Sequence, residues 1–429
     1  MKIFKTTDND FQKNFDEILA RGAMDIDSVS PIVKGILDEV KNEGNEAIIR
    51  HISKFDKWTP KNGDELLIST DEMEKAYHNI DAKLKKALNL AYDRIKSYHQ
   101  KQLPKSWLDF EDNGTILGQK VTAVEKAGVY VPGGKAFYPS SLLMNVIPAI
   151  VAGVKDIIVT TPVISNEPNE LLLAACHLCG VEKVYKVGGA SAIAAMAYGT
   201  ETIEKVDVIT GPGNIFVATA KKMVYGEVNI DMIAGPSEIG ILADESAKPN
   251  YMAIDLLSQA EHDEMASSIM ITTSEELAKA TEKEVYKFLN ELEREEIARK
   301  SIEERGAIII AENLDEAIEL MNTIAPEHLE IVTTNPFELL PKIKNAGAIF
   351  LGENTPEPIG DYIAGPNHTL PTGGSAKFYS PLNVEVFMKK SSIISFSKQA
   401  ILDMGEDCAI LAKTEMLTAH QKSVLERLK

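Results

Sequence analysis

The spacing of apolar side chains separates a helical N-terminal part from a longer region in which short strands alternate with helices. Within residues 1–110, Ile36 and Val40 recur at helical spacing, and Ser30-Pro31 predicts a helix start with serine as the N-cap. A second helical run over residues 81–99 is rich in lysine. The first part of the chain is therefore expected to be helical.

From about residue 128 the pattern changes to short apolar strands that alternate with helices, as in consecutive βαβ units. A first series predicts strands at 128–132, 156–162, 183–187 and 206–211, with helices near 142–154, 170–179, 190–198 and 216–225. A second series predicts strands at 239–244, 268–272, 306–310, 329–333 and 347–352, with helices near 251–261, 275–292, 314–323 and 336–345. The predicted fold class is α/β with two doubly wound, incomplete Rossmann-like domains.

The two series suggest boundaries for four parts of the chain. We expect a helical N-terminal region at 1–110, a first α/β domain at 111–235, a second at 236–380 and a helical tail at 381–429, with its helix over 401–428. The second domain ends in a loop rich in glycine and proline, GENTPEPIGDYIAGPNHTLPTGGSAKF, which is too long for a simple linker.

Charge and cysteine content exclude several classes of function. The chain has 45 Lys and Arg against 64 Asp and Glu, a net charge of −19, which disfavours nucleic-acid and anionic-membrane partners. Cys176, Cys179 and Cys408 are too few for a disulfide framework and are expected to be reduced. The sequence has neither an N-terminal signal core nor the roughly 20 apolar residues of a membrane helix. We therefore expect a cytoplasmic protein.

Two Glu-His pairs mark candidate chemistry. Gln259 and His262 stand three apart at the end of a predicted helix, so they share one face and can hold one ligand. His262 and Asp263 are candidate metal ligands. Glu327 beside His328 is a candidate general base and proton shuttle.

Further histidine and carboxylate side chains make a catalytic metal site one of two interpretations. Asp361, His368 and His420 add nitrogen and oxygen donors without cysteine, a set typical of catalytic rather than structural zinc. The alternative is that the histidines form ordinary hydrogen bonds on helix faces and that the Asp361 carboxylate belongs to a turn. From donor chemistry alone Glu261 is a better ligand than the neutral amide of Gln259.

Glycine-rich turns follow two of the predicted strands, although the dinucleotide motif GxGxxG is absent from the sequence. VPGGKAFYPSS at 131–141 and TGPGN at 210–214 lead into helices, where main-chain N–H groups can receive phosphate or carboxylate. Tight turns that need glycine dihedral angles are the simpler explanation for both.

A series of longer strings, in one order along nearly the whole chain, resembles the histidinol dehydrogenase family. The strings are GVYVPGG-AFYPSSLLMNVIPA, VGGASAIAAMAYGT, VDVITGPGN, DMIAGPSE, DLLSQAEHD, APEHLE, TPEPIGDYIAGPNHTLPTGG and TEMLTAH. This resemblance implies a zinc- and NAD-dependent oxidation of L-histidinol through L-histidinaldehyde to L-histidine, which consumes two NAD⁺. The reaction is the last step of histidine biosynthesis.

The resemblance also implies roles for individual residues. The implied ligands of one zinc ion per subunit are Gln259, His262, Asp361 and His420, and the implied catalytic pair is Glu327 and His328. The implied substrate contacts are Ser237, Gln259, His262, His328, Asp361, His368, Glu415 and His420. The implied NAD contacts are Tyr130, Ser191 and Asn214. The family string usually reads VGGAQAIA, so Ser191 replaces a glutamine, and its shorter side chain predicts a bridging water or a lost hydrogen bond.

Domain roles and assembly follow from the same resemblance. It places NAD on the first α/β domain and the zinc and catalytic residues on the second. It also implies a homodimer in which the tail at 381–429 crosses to the partner, so that His420 and Glu415 complete the other subunit's site. A tail that folds back onto its own subunit is the structural alternative.

Two other enzyme classes share part of this residue set. A paralogous zinc- and NAD-dependent dehydrogenase would act on another small alcohol, such as a sulfonated diol. A zinc hydrolase would use Glu327 to activate a metal-bound water and would ignore NAD⁺. Glu415, His368 and the intact Glu-His pair favour histidinol as the substrate, and a non-catalytic binding module explains neither this pair nor the glycine turns.

Overall fold

The computed structural model of the chain describes residues 1–22, 24–133 and 139–429. In these ranges the strands are β1 (Lys2–Lys5), β2 (Leu67–Ile68), β3 (Trp107–Phe110), β4 (Ile116–Ala123), β5 (Lys126–Tyr130), β6 (Asp156–Thr160), β7 (Lys183–Tyr185), β8 (Val208–Thr210), β9 (Asn229–Ile230), β10 (Glu238–Ala243), β11 (Ser267–Thr272), β12 (Ala307–Ile310), β13 (His328–Val332), β14 (Ala348–Leu351) and β15 (Met388–Ser395).

The α-helices in the same ranges are α1 (Phe11–Leu19), α2 (Ile26–Glu43), α3 (Asn45–Phe55), α4 (Thr70–Asn79), α5 (Ala82–Gln100), α6 (Pro139–Ala152), α7 (Glu170–Cys179), α8 (Gly189–Tyr198), α9 (Ile215–Val224), α10 (Pro249–Ala260), α11 (Glu275–Leu289), α12 (Glu295–Arg305), α13 (Leu314–Ile324), α14 (Pro336–Leu339), α15 (Glu357–Tyr362), α16 (Lys398–Thr414) and α17 (Thr418–Leu428). Short 3₁₀ segments lie at Ala20–Gly22, Gly63–Leu66, Ile164–Asn166, Leu340–Lys342, Ser375–Lys377 and Val384–Phe387. None of the helices in the described ranges is both long and apolar enough to cross a membrane.

The first of two doubly wound sheets has the strand order β2-β7-β6-β5-β8-β9. Its strands are parallel except β2, which runs antiparallel to β7. Apolar residues of α2, α3, α8 and α9 pack on one face, and those of α4, α5, α6 and α7 pack on the other. Burial on both faces explains why these strands read as continuous apolar runs rather than as alternating patterns.

The second sheet has the order β1-β12-β11-β10-β13-β14, and all of its strands are parallel. Helices α10, α11 and α12 cover one face, and α1 and α13 cover the other. The direction of strand order reverses between β10 and β13, as it does between β5 and β8 in the first sheet. The predicted α/β class with two doubly wound units is therefore confirmed.

The N-terminal part differs from the prediction in two respects. Helix α2 begins at Ile26, because the Asp25 side chain accepts the N–H of Ser28, so the expected start at Ser30-Pro31 is wrong and Pro31 lies inside the helix. The part is mostly helical, but β1 joins the second sheet and β2 joins the first. Residues 1–110 thus contribute to both sheets, and the four-part division of the chain stays a prediction.

The C-terminal part is less helical than expected. Strand β15 pairs antiparallel with β4, which pairs with β3, in a separate small sheet. The single predicted tail helix is two helices, α16 and α17, because Met416 between them has a φ of +61°. Both differences lie in segments whose side chains are mostly exposed, so burial does not impose an apolar period on the sequence.

Two predicted helices of the second series also have different bounds. The helix expected over 275–292 ends at Leu289, and a further helix, α12, follows it. The helix expected over 336–345 is the short α14 followed by a 3₁₀ turn at Leu340–Lys342. Pro341 lacks an N–H group and cannot extend the α-helical hydrogen-bond series.

Candidate active site and metal centre

The predicted catalytic pair lies at the amino end of β13, beside the amino end of β10. The main-chain N–H of Glu238 donates to Oε2 of Glu327 at 2.9 Å, and Nδ1 of His328 donates to the carbonyl oxygen of Glu238 at 3.1 Å. A main-chain carbonyl only accepts, so Nδ1 carries a proton and Nε2 is the ring nitrogen that can gain or lose a proton. No described residue gives this buried Nε2 a hydrogen bond.

Three carboxyl groups surround the buried His328 ring. Its Nε2 lies 3.6 Å from Oδ1 of Asp361 and 3.8 Å from Oε1 of Glu357, and Nδ1 lies 3.8 Å from Oε2 of Glu327. Burial alone would lower the pKa of His328, but the charge of Glu327 and the contacts with Asp361 and Glu357 outweigh it and raise that pKa to about 10. The site therefore carries an excess of negative charge that a cation would offset.

The carboxyl groups differ in their protonation behaviour. Burial raises the pKa of Glu327 to about 8 and that of Glu357 to about 8. Burial also acts to raise the pKa of Asp361, but its contact with His328 and the charge of His368 hold that pKa well below the usual range. Asp361 is thus an anionic ligand candidate, whereas Glu327 has a pKa suited to a base that works near neutral pH.

Helix α15 brings Glu357 and Asp361 into the site, since residues four apart share one face of a helix. Oε1 of Glu330 accepts the main-chain N–H of Glu357 at 2.7 Å, which satisfies one of the free N–H groups at the helix start. The hydroxyl of Ser258 on α10 donates to Oε2 of Glu357 at 3.1 Å. These contacts fix the short helix against β13 and α10.

Three side chains form a group that could hold a metal ion. One ligand atom each from His262, Glu357 and Asp361 lies within 4.8 Å of the other two. Gln259, on the last turn of α10, is only 1% exposed, and neither atom of its amide has a hydrogen-bond partner among the described residues. A buried amide with both atoms unpaired is costly, so Gln259 is a candidate ligand for a metal ion at this position.

The structure corrects and extends the metal residues expected from sequence. Asp263 is exposed, and its Oδ1 accepts the N–H of Met265 at 2.9 Å, so it serves a turn rather than the metal group. Helix α10 ends at Ala260, so His262 stands just beyond it, with its N–H donating to the carbonyl of Gln259 at 3.2 Å. Glu357 was missed, although its spacing of four from Asp361 was a readable signal.

Two further predicted substrate residues border the same site. Nδ1 of His368 donates to the carbonyl of Asp361 at 3.1 Å, and its Nε2 lies 3.4 Å from the hydroxyl oxygen of Ser141 on α6. Ser237 directly precedes Glu238, and its carbonyl accepts the N–H of Ser267 at 3.0 Å. His368, on the loop after α15, is therefore held between α15 and α6, a helix that packs on the first sheet.

The tail residues stand apart from this group. Glu415 and His420 are exposed and line a surface groove between α16 and α17, together with Leu411. Neither belongs to the metal-competent group found in the described part of the chain. A single chain thus brings His262 and Asp361 together, places Gln259 on the adjoining helix turn, and does not add His420.

The predicted cofactor residues lie at the carboxyl edge of the first sheet. Tyr130 ends β5, and Asn214 caps α9 directly after β8, so both flank the point where the strand order reverses. Ligands of open α/β sheets bind at such points. Oδ1 of Asn214 accepts the N–H groups of Phe216 and Val217, which leaves its Nδ2 to donate to a ligand.

Ser191 lies in the first turn of α8 at the same edge. The N–H of Gly189, two residues earlier, donates to the phenolic oxygen of the buried Tyr130 at 3.3 Å, and burial raises the pKa of Tyr130 to about 12. The Ser191 hydroxyl oxygen is 2.8 Å from Nδ1 of His51. Residues 134–138 of the glycine-rich turn at 131–141 lie outside the described residues.

Comparison with known proteins identifies the family of the chain. The histidinol dehydrogenase family model matches residues 19–428. Histidinol dehydrogenase of Sulfurimonas denitrificans is 68% identical over 427 residues, 99% of either chain, and that of Wolinella succinogenes is 66% identical over 419 residues, 98% of this chain and 97% of that protein. A crystal structure of histidinol dehydrogenase from Elizabethkingia anophelis has a TM-score of 0.94 at 35% identity, covering 100% of this chain and 98% of that one. The chain therefore belongs to the histidinol dehydrogenase family, whose members are oxidoreductases that act on a CH–OH group in histidine biosynthesis.

Proposed function

We propose that the protein oxidises L-histidinol to L-histidine in two steps, with one zinc ion per subunit and two NAD⁺ per turnover. The observation that supports it most directly is the group of His262, Glu357 and Asp361 beside the paired Glu327 and His328. When bound, zinc would anchor the imidazole and amine nitrogens of histidinol, and NAD⁺ would accept the hydride of each oxidation.

The residues present fit a zinc ion. His262 offers a neutral imidazole, since burial lowers its pKa, and Asp361 offers a carboxylate. The unpaired buried amide of Gln259 gains a partner if it is a ligand, which offsets the weakness of an amide oxygen as a donor. We assign Gln259, His262 and Asp361 as the ligands from one chain, with His420 as the fourth.

His328 is the residue we assign to the alcohol proton. Its Nδ1 is held by the carbonyl of Glu238, so the proton would move at Nε2. The carboxylate charges that raise the pKa of His328 would be offset by a bound zinc ion, which frees Nε2 to accept the proton and later return it. The ring is fixed in a buried position by β10 and by the carboxyl groups on α15. His368, held by Asp361 and Ser141, would orient the substrate rather than transfer its proton.

Glu327 is the residue we assign to the water that converts the aldehyde to its hydrate. Its Oε2 is engaged by the N–H of Glu238, so Oε1 is the oxygen expected to take the proton from water. A pKa raised to about 8 by burial makes this carboxylate a stronger base than an exposed glutamate. The second hydride then leaves from the hydrate, and the product is the carboxylate of histidine.

The cofactor is assigned to the carboxyl edge of the first sheet, where Tyr130, Ser191 and Asn214 converge. The reversal of strand order between β5 and β8 supports this position. We also propose a homodimer in which His420 and Glu415 act in the partner's site, because both are exposed in one chain. Placement of the enzyme in the cytoplasm stays a prediction from composition.

The metal assignment is tested by removing and restoring zinc. Chelation should abolish NADH formation from histidinol, and added zinc should restore it, while circular dichroism shows that the fold persists. His262→Asn should lower zinc content, measured by elemental analysis, and activity together. Full activity in protein shown to be free of zinc would contradict the proposal.

A further inference from the structure

A buried histidine connects Ser191 to a carboxylate on a different helix. His51 on α3 is 9% exposed, and its two ring nitrogens face opposite partners. Nδ1 lies 2.8 Å from the hydroxyl oxygen of Ser191 on α8, and Nε2 lies 2.9 Å from Oε2 of Glu39 on α2. Three helices that pack on one face of the first sheet thus contribute one hydrogen-bonded chain.

The carboxylate fixes the direction of this chain for the neutral form of the His51 ring. Hydrogen bonds from His51 and Arg50 lower the pKa of Glu39, so its carboxylate is ionised and can only accept. Nε2 of His51 must therefore carry the proton, and in the neutral imidazole Nδ1 has only a lone pair. The Ser191 hydroxyl then donates its single proton to His51, and only its oxygen lone pairs remain for another partner.

The direction of the hydrogen bond between Ser191 and His51 matters because of the position of Ser191 in the fold. It lies in the first turn of α8, two residues after Gly189, whose N–H is bonded to the phenolic oxygen of Tyr130 at the end of β5. Gly188, three residues before Ser191, leaves no room for a side chain, because an added Cβ would lie 2.4 Å from Cβ of Pro162, just after the end of β6. Ser191 is therefore held rigidly beside the carboxyl ends of β5 and β6.

We propose that His51 and Glu39 are positioning residues for the cofactor, which hold Ser191 as a hydrogen-bond acceptor for an N–H or O–H group of the dinucleotide. The inference rests on the proposed function in one respect, the binding of NAD⁺ at this edge of the first sheet. It differs from the expectation drawn from the short serine side chain alone. The Ser191 hydroxyl has a hydrogen-bond partner, and His51 and Glu39 orient it.

A double-mutant cycle tests whether His51 acts through Ser191. Ser191→Ala and His51→Leu should each raise KM for NAD⁺ about two- to tenfold, the scale of one neutral hydrogen bond. The double variant should be no worse than Ser191→Ala, because His51 then has no hydroxyl to orient. KM for histidinol and the thermal midpoint, measured on the same proteins, show whether the effect is specific to the cofactor.

Two matched variants sharpen the test. Asn at position 51 can place its amide oxygen near the position of Nδ1, so His51→Asn should recover part of the NAD⁺ affinity that His51→Leu loses. Glu39 and Glu43 both pair with Arg50, but only Glu39 contacts His51. Glu39→Ala should therefore raise KM for NAD⁺, whereas Glu43→Ala should leave it at the wild-type value.

Each result decides for or against the inference. If the two single effects on KM for NAD⁺ multiply in the double variant, the role of His51 is wrong. The proposed function still stands in that case, provided that the wild-type enzyme turns over histidinol with NAD⁺. Equal effects of Glu39→Ala and Glu43→Ala would overturn the role of Glu39. If the wild-type protein neither binds nor reduces NAD⁺, both the inference and the proposed function are wrong.

Discussion

Glu238 holds Glu327 through its main chain, because its N–H donates to Oε2 of Glu327 at 2.9 Å. The carbonyl of the same residue accepts a hydrogen bond from Nδ1 of His328 at 3.1 Å. One peptide segment at the start of β10 thus orients both members of the proposed catalytic pair at the start of β13. Side chains fixed in this way need little rearrangement when the substrate binds.

Glu327→Gln is expected to separate the two oxidations. The glutamine amide can keep the hydrogen bond from Glu238 through its oxygen but cannot take a proton from water. Because only aldehyde oxidation needs an activated water, histidinaldehyde oxidation should slow by about 10²-fold or more, the typical scale of general base catalysis. Histidinol oxidation, measured separately by rapid mixing with NAD⁺, should slow far less.

His328→Ala is the comparison for this assignment. It removes the residue assigned to both steps, so both half-reactions should slow. Equal losses in the two half-reactions of Glu327→Gln would mean that Glu327 does not act as the base for water, and the division of roles between the two residues would be wrong.

Gly211→Ala is expected to disturb the carboxyl edge of the first sheet, the proposed cofactor site, more than the substitution of a glycine that has free space around it. Gly211 has a φ of +120°, and an added Cβ would lie 2.0 Å from the carbonyl oxygen of Tyr130. Gly226 has a φ of +100°, and among the described residues none except its chain neighbours places an atom within 4 Å of an added Cβ. Gly226→Ala should therefore introduce only backbone strain and lower the free energy of unfolding by about 1–3 kcal/mol. Gly211→Ala should lower the free energy of unfolding by clearly more, because it adds a steric clash.

Denaturant midpoints of the two variants and their KM values for NAD⁺ provide the measurement. Only Gly211→Ala should weaken NAD⁺ binding, because it alone displaces Tyr130. Equal stability and equal KM for NAD⁺ in the two variants would show that the turn after β8 can move without affecting NAD⁺ binding at the carboxyl edge of the first sheet.

The sequence predicts the two sheets well because their strands are buried. The strand runs of both series match observed strands to within a few residues, since parallel strands covered on both faces need apolar side chains throughout. Strand β15 was missed because most of its side chains are exposed and only its pairing with β4 makes it a strand. Such pairing between distant segments leaves no periodic signal in the sequence.

The site was less predictable than the fold. Glu327 and His328 could be proposed as a catalytic pair because they are adjacent in sequence and combine a carboxylate with an imidazole. Their location at the amino ends of β10 and β13 was not expected, because the rule for open sheets points to the carboxyl ends. The involvement of Glu357 depends on how α15 packs against β13 and α10, which no local pattern encodes.

Co-expression of two inactive variants tests whether the tail acts across the dimer. In heterodimers of His262→Asn and His420→Asn, one of the two sites regains all four ligands if His420 ligates in the partner subunit. Purified heterodimers should then have about half of the wild-type activity by counting intact sites, and homodimers of either variant should be inactive. Inactive heterodimers would mean that the tail serves its own subunit.

The ratio of NADH to histidine formed tests the proposed four-electron reaction most directly. Purified protein with zinc is incubated with limiting L-histidinol and excess NAD⁺, and reduced nicotinamide and histidine are measured in the same sample. Two oxidations at one site predict two NADH for each histidine, with no free histidinaldehyde accumulating, because the aldehyde stays bound between steps. One NADH per histidinol with aldehyde released, or no NADH at all, would contradict the account.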